Sequence, residues 1–121
     1  MTVSAALRSA VRSRAAFACE FCGVTETDAG GELTVDHLEP VSRGGEDTLD
    51  NLVYCCSRCN LYKRDHWPVR PMDPVLWNPR SEPARRHFVE LDDRTVHAVS
   101  STGAFTVQRL RLNRPALVAW R

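Results

Sequence analysis

Asp36-His-Leu-Glu-Pro-Val-Ser-Arg-Gly-Gly45 and, four residues on, Asp50-Asn-Leu-Val-Tyr-Cys-Cys-Ser-Arg-Cys-Asn-Leu-Tyr-Lys63 are the stretches that decide the fold. Leu33, Val35 and His37 alternate with Thr34, Asp36 and Leu38, the period of a strand. A regular strand sends Asp36 and His37 to opposite faces, so both serve one site only if the strand ends or twists there, and Pro40 supports an ending. Residues 42–50 read as a loop and 51–55 as a short apolar return strand. Ser57 is placed to cap a helix running to about Asp65, on which Cys56, Cys59, Asn60 and Lys63 follow the i, i+3, i+4, i+7 rule. The order is β, β, α.

Working outward, Cys56/Cys59 is the second of two Cys-x-x-Cys pairs, the first being Cys19/Cys22. Structural zinc takes four thiolates in a tetrahedron, and each such turn supplies two from one knuckle. Gly23, directly after Cys22, suits the tight backbone of the first knuckle. Two disulfides or a redox pair are the alternative. The sequence shows no signal-peptide h-region, so reduced thiols, a cytoplasmic setting and zinc are expected. Cys55 is the odd thiol and reads as a small buried apolar residue after Leu52, Val53 and Tyr54. The 33 residues between Cys22 and Cys56 exceed what a plain zinc ribbon needs.

At 121 residues the chain is read as a single domain 1–121, with a core over 19–66 and a C-terminal extension over 67–121, in the size range where a metal staple helps. No apolar run approaches the ~20 residues that span a bilayer, so no membrane partner is expected. The net charge of +1 is uninformative, but its distribution is not. Residues 1–18 hold Arg8, Arg12 and Arg14 with no acid, residues 19–50 hold nine acids against Arg43 alone, and residues 58–70 are basic again. An acidic strip between basic segments able to touch phosphates is compatible with a nuclease surface, and ordinary solvated charge is the alternative.

Residues 4–17 read as an amphipathic helix with Leu7, Val11 and Phe17 on one side, and 25–31 as a loop ending in Gly30-Gly31. Four prolines between Pro68 and Pro79 impose an extended connector. Residues 87–91 and 95–99 alternate as a hairpin turned by Asp92-Asp93-Arg94, Val107 to Leu112 suggest a short helix, and Asn113 is placed to cap a last one to Arg121. Trp67, Trp77 and Trp120 read as core residues rather than base-stacking ones. His66, His87 and His97 read as surface or hydrogen-bonding residues.

The two opening stretches, with the knuckles, resemble the HNH endonuclease motif of the ββα-metal nucleases, of the small zinc-containing bacterial or phage type. The resemblance covers residues 19 to 63. It implies an α+β fold, a ββα-metal core with a four-Cys zinc clamp (Cys19, Cys22, Cys56, Cys59), an N-terminal helix and a C-terminal hairpin-plus-helix extension. It makes His37 the general base, Asn51 the central Asn that ties the loop to the strand and so orients the imidazole, and Asp36 with Asn60 the ligands of one catalytic divalent cation. Asn60 stands where the motif has its last His, and an amide oxygen there favours Mg²⁺ or Mn²⁺ over softer metals. Arg43 and Lys63 are candidate phosphate contacts. The implied substrate is DNA, with a homodimer or a larger nuclease or phage-type assembly as a further partner. A non-catalytic zinc-knuckle module that binds nucleic acid or protein is the competing reading, and the trio Asp36, His37 and Asn60, which such a module does not need, separates the two. Farther on, Trp77-Asn-Pro-Arg80, His87-Phe88, Thr106-Val107 and Leu110-Arg-Leu-Asn-Arg114 resemble the tail of a subset of small bacterial HNH proteins, a likeness that carries no mechanism.

Overall fold

Helix α1 (Ala5–Arg14) opens on Ser4, whose Oγ accepts from the amide of Leu7 at 3.2 Å. The computed structural model describes residues 3–121 and divides them into two compact units, one ending at Asp65 and one spanning His66–Arg121. Among the described residues no helix is long and apolar enough to cross a membrane. The helix stops short of the expected residue 17 because Ala16 and Phe17 adopt positive φ (53° and 61°), which an α-helix cannot propagate. Phe17 consequently lies exposed, with the Arg12 guanidinium 5.0 Å above its ring, while Val11 is fully buried.

The first unit is organised around an antiparallel pair, β1 (Thr34–His37) and β2 (Leu52–Cys55), with Thr34 opposite Cys55 and His37 opposite Leu52. All four β2 residues are buried, as expected for a strand covered on both faces, and α1 packs on the pair from one side. Helix α3 (Ser57–Lys63) packs on β1. Its cap differs from the expected Ser57: Cys56 occupies the N-cap and its sulfur accepts from the Cys59 amide at 3.4 Å, so the metal-type knuckle and the helix cap are one structure. The segment read as a loop before β1 contains a single helical turn, α2 (Glu26–Ala29), because Thr25 Oγ1 accepts from the Asp28 amide and Gly30 closes the turn in the left-handed region at φ 89°.

That turn presents Glu26 to Arg12, which grips the carboxylate with Nε at 2.7 Å and Nη2 at 2.8 Å, and Tyr54 donates its hydroxyl to Glu26 Oε2 at 2.6 Å. The Tyr54 oxygen in turn accepts from the buried Leu33 amide at 2.8 Å. Arg12 first, and Tyr54 after it, hold the Glu26 carboxyl down at about 2. A carboxyl held below its ordinary value of 4.5 contributes stability in full above that value and loses it as pH falls toward 2. We expect the Tm gap between wild type and Glu26→Gln to be widest above pH 4.5 and to close toward pH 2; a gap that widens on acidification contradicts the assignment. Arg14 is likewise turned inward, donating to the carbonyls of Leu49 and Leu52. Two of the three arginines of the basic N-terminal segment thus hold the fold together.

The second unit contains the expected hairpin, β3 (Phe88–Glu90) and β4 (Val96–Ala98), turned through Arg94 at φ 69°. The helix expected from Val107 begins earlier: α4 (Ser101–Leu110) starts at Ser100, whose Oγ accepts from the Gly103 amide. It packs on β4, and its Gly103 lies so close to the residue before β3 that a Cβ there would fall 2.3 Å from the His87 carbonyl oxygen. The last helix, α5 (Pro115–Trp120), is capped by Arg114 with Pro115 in its first turn, not by Asn113. Asn113 instead pairs with the backbone of Val96, accepting from its amide at 2.7 Å and donating to its carbonyl at 2.8 Å, which fastens the C-terminal segment to the hairpin edge. Trp77 is buried and meets Phe88 edge-on, as expected, whereas Trp67 and Trp120 each expose more than a third of their surface.

Candidate metal clamp and nuclease centre

The four sulfurs of Cys19, Cys22, Cys56 and Cys59 lie within 4.8 Å of one another, and Cys22 Sγ is 3.7 Å from Cys56 Sγ. Two ligands of a tetrahedron with Zn–S at ~2.3 Å stand about 3.8 Å apart, a spacing that the Cys22–Cys56 pair matches. Each knuckle repeats one device: the Cys22 amide donates to Cys19 Sγ at 3.4 Å and the Cys59 amide to Cys56 Sγ at 3.4 Å. Gly23, at φ 86°, completes the first turn, and its amide donates to the Cys19 carbonyl. The Glu20 amide donates to the Tyr54 carbonyl at 2.9 Å, tying that knuckle to β2. Hydrogen bonds among the sulfurs push Cys59 up, through Cys19 foremost, and Cys19 up, through Cys22 foremost, and hold Cys56 down, through Cys19 foremost. Four adjacent thiolates need a cation to coexist, and the donor set suits structural zinc. Cys55, buried on β2, points its sulfur at Thr34 Oγ1, 3.7 Å away, and burial pushes its thiol up. It stands outside the four-sulfur cluster.

The second site lies where β1 ends. The strand stops at His37, and the next amide, that of Leu38, donates to the Asn51 carbonyl at 2.8 Å. The Asn51 side chain then bridges the returning loop: Oδ1 accepts from the Glu39 amide at 2.8 Å, and Nδ2 donates to the carbonyls of Glu39 and Glu46, both at 3.0 Å. Inside this bridge a Cβ on Gly45 would fall 1.8 Å from the Glu39 carbonyl oxygen and 2.9 Å from Asn51 Nδ2, whereas one on Gly44 (φ 92°) meets nothing. Gly45→Ala must therefore break the bridge. We expect it to cost about 1–3 kcal/mol by thermal unfolding, with Gly44→Ala paying only the left-handed strain of about 1–2 kcal/mol. Equal, small losses in both would mean that the loop relaxes freely.

Lys63, a candidate phosphate contact by its sequence, is buried. Its side chain is 1 % exposed, and Nζ donates to Asp36 Oδ2 at 2.9 Å, to the His37 carbonyl at 2.9 Å and to the Arg64 carbonyl at 3.3 Å. An ammonium has three donors, so none remains for a phosphate. Lys63 thus joins the last turn of α3 to the end of β1 and holds one oxygen of Asp36. Asn60 stands one turn earlier on the same face of α3. Asp36 keeps a quarter of its side chain exposed. Arg43 is exposed in the short 3-10 turn Val41–Arg43.

Asp47 receives no role from the sequence. The structure puts its Oδ1 2.7 Å from His37 Nε2, with the two side chains 24 % and 15 % exposed. Only its place in the acidic run before Asn51 signalled it. In the second unit His66 meets the Pro74 carbonyl at 2.8 Å and the Phe105 ring at 4.8 Å, and the buried His87 meets Ser100 Oγ at 2.6 Å.

Compared with known families, residues 19–66 match the HNH endonuclease family. No curated protein and no solved structure matches the chain.

Proposed function

We propose, from the premise that residues 19–66 form an HNH endonuclease domain, that this protein is a metal-dependent endonuclease that hydrolyses phosphodiester bonds in DNA. His37 is the general base, and Asp36 and Asn60 hold one divalent cation. The observation that carries the reading is the end of β1, where Lys63 grips both the Asp36 carboxylate and the His37 carbonyl and so docks the Asp-His pair against the helix bearing Asn60.

In this reading the imidazole of His37 takes a proton from the attacking water, a task for which an imidazole suits neutral pH. Lys63 restrains Asp36 through one carboxylate oxygen, Oδ2. Asn51 keeps the loop folded back beside the imidazole. A bound Mg²⁺ or Mn²⁺ supplies Lewis-acid stabilisation of charge on the phosphate and the leaving oxygen. The thiolate clamp takes no part in the chemistry: with zinc bound by four cysteines it is a closed structural site.

Supercoiled plasmid tests the assignment. Zinc-loaded protein should convert it to nicked circles when Mg²⁺ or Mn²⁺ is added. Protein that retards the plasmid on a gel but cuts it under none of these cations is instead the zinc-knuckle binding module.

A further inference from the structure

We propose that Asp47 is a positioning residue for His37, fixing the imidazole as its Nε2–H tautomer and leaving Nδ1 as the ring's only basic nitrogen. The proposal rests on the nuclease reading for its functional consequence, and on geometry for the tautomer itself. A neutral imidazole has one donor nitrogen and one acceptor nitrogen, while a carboxylate has only acceptors. With Nε2 at 2.7 Å from Asp47 Oδ1, the other tautomer would set two lone pairs against each other, so the proton sits on Nε2. The bond one ring nitrogen makes decides which nitrogen is left to act. Among the described residues no hydrogen-bond partner is found for Nδ1.

Asp47 is itself held in place. The Glu46 carbonyl on one side accepts from Asn51 Nδ2 at 3.0 Å, and the Thr48 carbonyl on the other accepts from the amides of Asn51 and Leu52, both at 3.0 Å. The Gly45 amide is fixed to the Pro40 carbonyl at 3.0 Å just before. Asn51 therefore orients the imidazole through Asp47 rather than by touching it. When Nδ1 accepts a proton, the ring becomes an imidazolium whose Nε2–H already faces a carboxylate, so the new charge is paired as it forms.

The experiment is ¹⁵N spectroscopy of the histidine-labelled, zinc-loaded full chain, with the His37 signals assigned by their loss in His37→Gln. We expect the Nε2–H pattern in wild type, its replacement by a tautomer mixture in Asp47→Ala, and its retention in Asp47→Asn, whose amide oxygen still accepts. In plasmid nicking, Asp47→Ala should lower kcat on the order of 10²-fold with KM unchanged, and Asp47→Asn should fall between it and wild type. An Nδ1–H pattern in wild type, or an Asp47→Ala spectrum identical to wild type, overturns the proposal. If Asp47→Ala does not fold, the wild-type tautomer and the Asp47→Asn variant decide. Should wild type cut no DNA, the nuclease reading fails while the spectra still decide the Asp47–His37 pairing.

Discussion

His37→Ala is expected to remove cation-dependent nicking while leaving zinc content and thermal stability near wild type. General-base catalysis contributes about 10²–10⁴-fold, so the residual rate should sit at or below a hundredth of wild type. The fold should tolerate the change because the backbone at this position carries the structural load. The His37 carbonyl accepts from Lys63 and the strand pairing runs through the main chain, both of which survive loss of the ring. What is lost is the bond to Asp47, between side chains each still in touch with solvent. Plasmid nicking at saturating Mg²⁺, with zinc measured on the same samples, checks this. Equal cleavage by wild type and variant removes His37 as the base.

Cys56→Ser should lose zinc and unfold the first unit, whereas Cys55→Ser should keep both. Structural zinc in small domains contributes about 10–16 kcal/mol, as much as the whole stability of a typical domain at about 5–15 kcal/mol. Cys56 is also the N-cap of α3, so one substitution strikes the cluster and the helix start together. The Cys55 sulfur meets Thr34 Oγ1, and a serine there keeps that partner. Metal analysis and circular dichroism distinguish the two variants. Zinc retained by folded Cys56→Ser contradicts the ligand set.

The order of β1, β2 and α3 was legible because alternation, a strand-ending proline and helical spacing are local signals. The clamp was legible from the spacing of its cysteines. Lys63 was not, because a lysine at the end of a helix looks solvated, and only the tertiary position of Asp36 draws its ammonium inward. The turn at Glu26–Ala29 carried a readable sign, Thr25 three residues before Asp28, but its flanking Gly30-Gly31 pointed to a loop. Asn113 has the composition of a cap, yet the edge of β4 supplies a better pair of partners. Asp47 was hidden for a different reason: among nine acids between residues 19 and 50, nothing local marks the one that the folded loop sets against an imidazole.

The proposed function requires the thiolate clamp and the nuclease centre to be two sites with two metals. Its most direct test is a cation titration of nicking on protein carrying one zinc per chain and no other divalent ion. No cutting is expected at the start, then a nicking rate that rises with added Mg²⁺ or Mn²⁺, and a zinc content that stays constant throughout. Full cleavage by the zinc-loaded chain before any cation is added would contradict that requirement.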